Sequence, residues 1–368
     1  MSEIWTIMKR NTQQQFFVKH LLEWNLHNNT RQMPWKGEKN PYKIWLSEII
    51  LQQTRVAQGL DYYNRFIAKF STIHQLAKAP ETSVFKLWEG LGYYTRCKNM
   101  IATAKFISEE LNGSFPEKYE EILQLKGVGP YTAAAISSFA FNLPYAVVDG
   151  NVFRVLSRYF GIASPIDSTA GKQLFTLLAS KLLDKKLPGT YNQALMDFGA
   201  VICKPQIPLC IACALKSRCK AFKNEIVNQL PVKEKKLTKK TRWFYYLVIE
   251  YKGKQYLRKR GPRDIWENLY EFLLIENEKA LSLEKLKDLQ NFKEIFFKNS
   301  FEVLHISSLY KQVLTHQTIL GQFIKIKTFK PLPGTAYKAF LPAEIDKLPF
   351  PKFIAAYLKD KNVSLNLF

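Results

Sequence analysis

The amino-acid sequence predicts a two-domain protein, with an all-helical domain over residues 1–230 and a smaller α+β domain over residues 243–368. Three observations support this prediction. A chain of 368 residues is too long for one compact core. Apolar residues recur at helical spacing through the first two-thirds, and strand-like runs begin after a change in composition near Leu230. A hydrophobic content of 47% excludes a disordered chain.

The helical prediction for the first domain depends on apolar residues that return at helical spacing, with no strand pattern between them. Turn signals separate the helical segments. The predicted turns lie at Asn40-Pro41, Gly90-Leu91-Gly92, Gly113, Gly127 with Gly129, Asp149-Gly150 and Pro188-Gly189. The predicted helical segments are Phe16–Leu26, Tyr42–Phe70, Val84–Leu87, Met100–Leu111, Tyr119–Leu125, Thr132–Ala140, Val152–Phe160 and Lys172–Leu182.

The second domain is predicted from a change in composition after Leu230. Residues 231–242 hold six Lys or Arg against one Glu, which indicates an exposed basic linker. The β-rich run Arg242–Tyr251, followed by Gly253 and Gln255–Arg258, predicts a hairpin. Further strand-like runs lie at Tyr310–Leu314 and Gly321–Phe329.

The charge of the chain favours a polyanionic partner. There are 54 Lys and Arg residues against 31 Asp and Glu, a formal net charge of +23. Nucleic acid is the leading interpretation, because neutralising a phosphate releases condensed counterions; a basic proteome or an anionic membrane surface is the alternative. The first 22 residues do not resemble a signal peptide, and no apolar run is long enough to span a bilayer. We therefore expect a cytoplasmic protein with reduced thiols and no membrane association.

Four of the five cysteines fall within 17 positions, which indicates a metal centre rather than disulfide bonds. Their spacings of six, two and five residues fit a compact loop better than two symmetric Cys-x-x-Cys knuckles. The residues by themselves leave an iron–sulfur cluster and zinc as open alternatives. Cys97 stands apart and is expected to be a packing residue. The candidate metal ligands are Cys203, Cys210, Cys213 and Cys219.

The segment Leu125–Thr132 lies between two predicted helices and contains Gly127, Gly129 and Pro130. Two glycines permit a tight turn, and proline suits the first position of a helix. Backbone N–H groups at such a helix start can bind a phosphate, although an ordinary helical hairpin has the same pattern. Downstream, Asp149 is expected at the start of the next helix, where the helix dipole favours its ionised form. A simple N-cap role is the alternative for Asp149.

Glu48 lies in the apolar run Ile44–Leu51, within a helix that Asn40-Pro41 should begin. A helix that is apolar nearly all round is buried, so Glu48 is expected in a low-dielectric setting that raises its pKa. One protonated and one ionised carboxyl form the pair expected for cleavage of an N-glycosidic bond. A surface position, or burial beside a base such as Arg55, is the alternative for Glu48.

Together these segments resemble one family, the MutY-type adenine glycosylases of the helix–hairpin–helix (endonuclease III) superfamily. The resemblance covers nearly all of residues 15–222 and is carried by Pro34–Val56, Gly90–Arg96, Asn192–Gly199 and the cysteine spacing. It implies an all-α helix–hairpin–helix glycosylase domain with a 4Fe–4S cluster loop, followed by a smaller α+β Nudix-like domain. It thus implies one 4Fe–4S cluster on the four cysteines and double-stranded DNA as the partner.

In that family, adenine is flipped from the duplex into a pocket. The resemblance implies that Glu48 protonates adenine N7 and that Asp149 stabilises the oxocarbenium-like sugar, with Tyr131 and Asn151 in support. Tyr131 stands where bifunctional relatives have the lysine that forms a Schiff base, so a monofunctional glycosylase is expected. The implied substrate contacts are Trp35, Lys36 and Gln193 at the base, Leu51, Gln53 and Tyr93 at the opened stack, and Gly127 and Gly129 at the hairpin.

Residues 243–368 resemble the Nudix-like recognition domain of the same family more weakly, through Gly261, Ile265–Leu269 and Glu271-Phe272. They lack the Arg-Glu…Glu-Glu run of a working Nudix hydrolase, so readout of the lesion opposite adenine is the better interpretation. The family's Phe-Ser-His loop is Leu314-Thr315-His316 here, and Thr315 and His316 are the implied contacts. Lys36 also departs from the family, which usually has Arg after Pro-Trp.

The implied substrate is adenine opposite 8-oxoguanine or guanine. An endonuclease III-like lyase for damaged pyrimidines and a non-catalytic iron–sulfur DNA-binding protein are the rival interpretations. The apolar tail Val363–Phe368 is similar to peptides that bind the replication sliding clamp, with a strand packed on its own domain as the alternative. We expect a monomer, since one DNA site per chain suffices, located at the nucleoid if the source is bacterial.

Overall fold

The structure, a computed structural model, describes residues 12–234, 239–297, 299–332 and 336–360. These residues divide into two compact units. The first, which we call the helical unit, takes its residues from Met1–Ala77 and Ala102–Lys235. The second, the sheet unit, takes its residues from Lys78–Ile101 and Lys236–Phe368. The predicted domain boundary at residues 231–242 stays a prediction.

Helices provide the regular structure of residues 12–234, with no strand among the residues described there. The all-helical prediction is therefore confirmed for these residues. None of the described helices is both long and apolar enough to cross a membrane. The helices are α1 (Thr12–Asn28), α2 (Pro41–Leu51), α3 (Val56–Lys69), α4 (Ile73–Lys78), α5 (Glu81–Trp88), α6 (Tyr94–Glu110), α7 (Tyr119–Gln124), α8 (Pro130–Phe141), α9 (Gly150–Phe160), α10 (Thr169–Leu182), α11 (Pro188–Val201) and α12 (Lys220–Lys223), with 3-10 turns at Lys216–Arg218 and Val227–Gln229.

Two helix predictions are wrong. The segment Tyr42–Phe70 forms two helices, α2 and α3, because the chain turns between them and Gln53 adopts a left-handed φ of 54°. Pro188-Gly189 is not a turn but the start of α11, where the fixed φ of proline suits the first helical position. The sequence patterns do not predict α4 or α11. By contrast, the predicted start of α2 is confirmed, since the Asn40 side chain accepts hydrogen bonds from two backbone N–H groups of the first turn.

The main core of the helical unit lies among α1, α9, α10 and α11. Phe17, Tyr159, Phe175 and Phe198 are almost completely buried there. Helix α9 presents apolar residues at helical spacing to this core, so its first turn, which carries Asp149 as N-cap, is held in a fixed position. Cys97, in the sheet unit, is fully buried, which confirms it as a packing residue.

The sheet unit is a mixed β-sheet with helices. Its central strand β1 pairs in parallel with β7 and antiparallel with β2 and β4. The predicted hairpin is confirmed, with Glu250 opposite Gln255 across a turn at Lys252 and Gly253. The strands are β1 (Lys240–Tyr251), β2 (Lys254–Lys259), β3 (Tyr270–Glu271), β4 (Leu273–Asn277), β5 (Phe301–Ile306), β6 (Tyr310–Val313), β7 (Gln317–Thr328) and β8 (Lys338–Phe340).

Helices cover both faces of this sheet. Successive side chains of β1 point to opposite faces, so both faces have residues of β1 on which a helix can pack. Tyr245, Leu247 and Ile249 pack on one face with residues of α13 and α14. On the other face, Phe323 of β7 stacks on Tyr357 of α16 with ring centroids 3.9 Å apart. The helices are α13 (Leu283–Asp288), α14 (Gln290–Ile295), α15 (Pro342–Ile345) and α16 (Lys352–Lys359).

Candidate active site

A cavity of about 350 Å³ lies in the helical unit, bordered by α2, α8, α9, α11 and the loop before α2. Its volume falls within the range of small-molecule sites, roughly 300–1,000 Å³. The structure thus brings together side chains that are far apart in sequence. The predicted site residues that line it are Trp35, Lys36, Glu48, Leu51, Tyr131, Asp149, Asn151 and Gln193.

Glu48 lies on α2 and is 6% exposed, so the alternative of a surface position is wrong. The pKa of Glu48 is raised to about 7, chiefly by burial; a hydrogen bond from the Tyr131 hydroxyl lowers it in part, and the charge of Asp149 also raises it. Arg55, the other suggested partner, is exposed at the start of α3. Glu48 is therefore a carboxyl that can hold a proton near neutral pH.

Asp149 is both an N-cap and a cavity residue. Its carboxylate accepts hydrogen bonds from the Val152 backbone N–H at 2.8 Å and from Asn151 Nδ2 at 2.7 Å. The pKa of Asp149 is raised overall because of burial, although these hydrogen bonds and the charge of Arg154 lower it in part. Asp149 thus has several partners that favour the carboxylate form, in contrast to Glu48.

Arg154, which the sequence patterns did not single out, fixes the side chain of Asn151, and Asn151 in turn donates to Asp149. Its guanidinium donates hydrogen bonds to Asn151 Oδ1 at 2.8 Å and to the carbonyl oxygens of Gly199 and Cys203 at 2.7 Å each. The Asn151 Nδ2 group is therefore turned toward Asp149. A Cβ on Gly199 would lie 2.6 Å from Asn151 Cβ, so α11 passes this point because residue 199 has no side chain.

Asp197 on α11 was also missed, together with Arg31. The Asp197 side chain is fully buried. One carboxylate oxygen accepts from Arg31 at 2.7 Å and from Gln193 Nε2 at 3.0 Å; the other accepts from Asn29 at 2.9 Å and pairs with Lys36 Nζ at 3.1 Å. An acidic residue inside the otherwise apolar segment around Phe198 was the available signal in the sequence.

The helix–hairpin–helix turn is present between α7 and α8. Gly127 has a φ of 82°, which favours glycine, and Gly129 precedes Pro130, the first residue of α8. Neither glycine lines the cavity, so their phosphate role stays a prediction. Gln53 is exposed at the turn between α2 and α3 and does not line the cavity either.

The other predicted contacts lie in the sheet unit, around a second cavity of about 340 Å³. Tyr93, Thr315 and His316 line it, and the Tyr93 and Thr315 hydroxyls are 2.7 Å apart. Of the two carboxylates that line this cavity, Asp264 is paired with Arg242 and Arg260, and Glu267 is paired with Lys98. Buried Glu271 binds Arg258 at 2.9 Å and also binds Arg260.

The four clustered cysteines are half-buried free thiols that follow α11. Burial raises the pKa of Cys203, Cys213 and Cys219, and Coulomb interactions among the thiols also raise it, so the thiols lie within electrostatic range of one another. The buried Arg158 guanidinium lies 3.6 Å from Cys203 Sγ. Within the described ranges, no three His, Cys, Asp or Glu side chains converge closely enough to hold one metal ion.

Comparison with known families and folds defines the class of the protein. The family model described as "HhH-GPD superfamily base excision DNA repair protein" matches residues 46–178, which contain Glu48, the hairpin and Asp149. A thermostable thymine-DNA glycosylase is similar in fold, with a TM-score of 0.54 and 30% identity over 58% of this chain and 98% of that chain. Endonuclease III in a non-covalent DNA complex shares the fold, with a TM-score of 0.50 and 23% identity over 59% and 99%. The class is that of the helix–hairpin–helix DNA N-glycosylases.

Curated relatives define the family within this class. The adenine DNA glycosylase of Buchnera aphidicola subsp. Baizongia pistaciae is 38% identical over 306 residues, which cover 80% of this chain and 85% of the relative. The enzyme of the same name from Buchnera aphidicola subsp. Acyrthosiphon pisum is 36% identical over 84% and 89%. The mouse enzyme is 41% identical over 58% of this chain and 43% of its own length. The chain belongs to the MutY-type adenine DNA glycosylase family, which confirms the resemblance found in the sequence.

Proposed function

We propose that this chain is a base-excision repair enzyme that flips adenine mispaired with 8-oxoguanine or guanine out of duplex DNA and hydrolyses its N-glycosidic bond. One observation carries the proposal. Glu48, buried in a cavity of about 350 Å³ with a pKa raised to about 7, shares that cavity with Asp149. The net charge of +23 suits a DNA partner.

Glu48 acts first in the proposed mechanism. Its pKa of about 7 keeps the protonated form populated near neutral pH, and this form donates its proton to N7 of the flipped adenine, which then leaves as a neutral base. Burial raises the pKa of Tyr131 well above its usual value, so its hydroxyl stays a neutral donor to Glu48. The Asp149 carboxylate stabilises the positive charge that develops on the sugar. Water then adds to C1′ and gives one proton to the Glu48 carboxylate, which restores the starting state.

The proposed enzyme is monofunctional because no lysine lies where a Schiff base would form. Tyr131 occupies that position on α8, and a phenol cannot condense with the opened sugar. Lys126 is close in sequence but belongs to the turn before α8, where a phosphate contact suits it better. Strand breakage after base release should therefore need alkali.

We further propose that Cys203, Cys210, Cys213 and Cys219 hold one 4Fe–4S cluster. The four thiols are free, half-buried and close enough to influence one another electrostatically. Their spacings of six, two and five residues fit a compact loop around a cluster better than two symmetric Cys-x-x-Cys knuckles around zinc. When bound, the cluster would cross-link the loop and hold it folded.

The sheet unit is proposed as a Nudix-like domain that reads the lesion opposite adenine. Tyr93, Thr315 and His316 would contact that base from the second cavity. Pairing of Glu271 with two arginines leaves it poorly suited to bind a catalytic metal, which argues against nucleotide hydrolysis. Binding of the tail Val363–Phe368 to a sliding clamp stays a prediction, because the tail lies outside the described residues.

The test uses end-labelled duplexes with adenine opposite 8-oxoguanine, analysed with and without hot alkali. We expect breakage that requires alkali and that is lost in Glu48→Gln and Asp149→Asn. Glu121→Gln and Asp61→Asn are matched controls, because both side chains are more than half exposed. Cutting at oxidised pyrimidines without alkali would favour the endonuclease III-like lyase instead. DNA binding without base release would favour the non-catalytic DNA-binding protein.

A further inference from the structure

The buried carboxylate of Asp197 has four hydrogen-bond or ion-pair partners, two on each oxygen. Arg31 and Gln193 bind one oxygen, and Asn29 and Lys36 bind the other. Arg31 and Lys36 are cations, and a carboxylate between two cations accepts hydrogen bonds and donates none. Each partner must therefore present a donor to Asp197.

This requirement fixes the orientation of the Gln193 side-chain amide. The two ends of a glutamine amide have nearly the same shape, and neighbouring groups decide which end faces which way. Asp197 takes the Nε2 group of Gln193 at 3.0 Å. The Gln193 carbonyl oxygen has no hydrogen-bond partner among the described residues, and Gln193 lines the cavity. Gln193 therefore presents a hydrogen-bond acceptor to the cavity, and not a donor.

We propose that Asp197 is a positioning residue that sets base specificity, because it holds Gln193 with its carbonyl oxygen facing the base. This inference rests on the proposed function. An acceptor at that position binds the exocyclic amine of a 6-aminopurine, such as adenine. A 6-oxopurine has an oxygen in place of that amine, and this oxygen is also an acceptor. Two unpaired acceptors that face each other in a closed site destabilise the complex.

Single-turnover base release from three duplexes, carrying adenine, unsubstituted purine or hypoxanthine at the same position, tests the proposal. In Asp197→Asn, the NH₂ group of the introduced amide is a donor that faces partners which are also donors. The contact with Gln193 Nε2 is no longer required, so the Gln193 amide is free to turn. We expect the adenine-to-purine and adenine-to-hypoxanthine rate ratios to fall by about tenfold, the value of one hydrogen bond. A merely structural defect would lower all three rates by a common factor.

The double variant D197N/Q193E supplies the rescue. The carboxylate introduced at position 193 accepts from the amide introduced at position 197 with one oxygen and presents its other oxygen to the base. The two substitutions together leave the local charge unchanged. We expect the double variant to restore both ratios to within about threefold of the wild-type values, given that one hydrogen bond is remade. If Asp197→Asn fails to fold, Gln193→Leu removes the same acceptor with Asp197 intact and should lower both ratios.

Unchanged ratios in folded Asp197→Asn, unchanged ratios in Gln193→Leu, or no rescue in the double variant would each overturn the proposal. These outcomes are separable from failure of the proposed function. If the wild-type chain releases no adenine, the proposed function itself is wrong. If it does release adenine and the ratios do not respond, the enzyme is as proposed and Asp197 has no part in its specificity.

Discussion

Replacing Glu48 by glutamine should make the protein more stable at neutral pH while it abolishes activity. The pKa of Glu48 is raised from 4.5 to about 7, chiefly by burial. Between these two values the unfolded carboxyl loses its proton while the folded one keeps it. Unfolding is therefore favoured more as the pH rises from 4.5 to about 7. Glutamine has no proton to lose and avoids this penalty.

The magnitude follows from the size of the pKa shift. A pKa raised from 4.5 to about 7, at about 1.4 kcal/mol for each factor of ten in the proton equilibrium, gives about 3.5 kcal/mol. The penalty is absent below pH 4.5, where both states are protonated, and constant above about pH 7, where both are ionised. The free energy of unfolding of Glu48→Gln, relative to the wild type, should rise across this window by up to about 3.5 kcal/mol and then stay level.

Denaturant unfolding at pH 4.5, 6 and 8, followed by far-ultraviolet circular dichroism, measures this difference. Glu38→Gln is a control of opposite sign, because backbone N–H groups and Lys43 lower the pKa of Glu38. Its carboxylate stabilises the fold above its ordinary pKa of 4.5, and that contribution is lost as the pH falls. A stability difference for Glu48→Gln that does not change between pH 4.5 and 8 would refute a buried, proton-holding Glu48.

Further predictions concern the rate, the metal and the sheet unit. Single-turnover adenine release should fall about tenfold per pH unit above pH 7, because Glu48 must be protonated; a rate that does not fall there would contradict this. Tyr131→Phe removes a hydrogen bond that lowers the pKa of Glu48, so the falling limb should move to higher pH. Cys210→Ser should lose the visible absorbance and iron of the purified protein, and a colourless wild type would exclude the cluster. Glu271→Gln should destabilise the sheet unit by roughly 3 kcal/mol in urea unfolding, since it leaves two guanidiniums short of a buried partner. Glu276→Gln, a more exposed carboxylate, should cost under about 1 kcal/mol.

Local patterns predicted much of the fold, because local rules govern helix starts and burial. Asn40 before Pro41 marked the start of α2, and the apolar run around Glu48 correctly indicated burial. The β-hairpin of β1 and β2 also followed from a short spacing.

The remaining features depend on contacts between distant segments. The Asp197 cluster joins α11 to Asn29, Arg31 and Lys36, which are more than 160 positions earlier. The left-handed turn at Gln53 uses a residue that seldom adopts such a backbone, so its sequence carries no turn signal. No local pattern reveals either feature.

The discontinuous sheet unit has a consequence for synthesis on the ribosome. Lys86 donates to the Leu348 carbonyl and Tyr94 to the Phe350 carbonyl, across 262 and 256 positions. At roughly 5–20 residues per second, these partners emerge about 13–50 seconds after Lys78–Ile101 has been made. During that interval the buried residues of α5, Val84, Phe85 and Trp88, belong to a unit whose sheet does not yet exist. The nascent chain therefore completes this unit last, and the interval is when α5 most needs shielding by a chaperone.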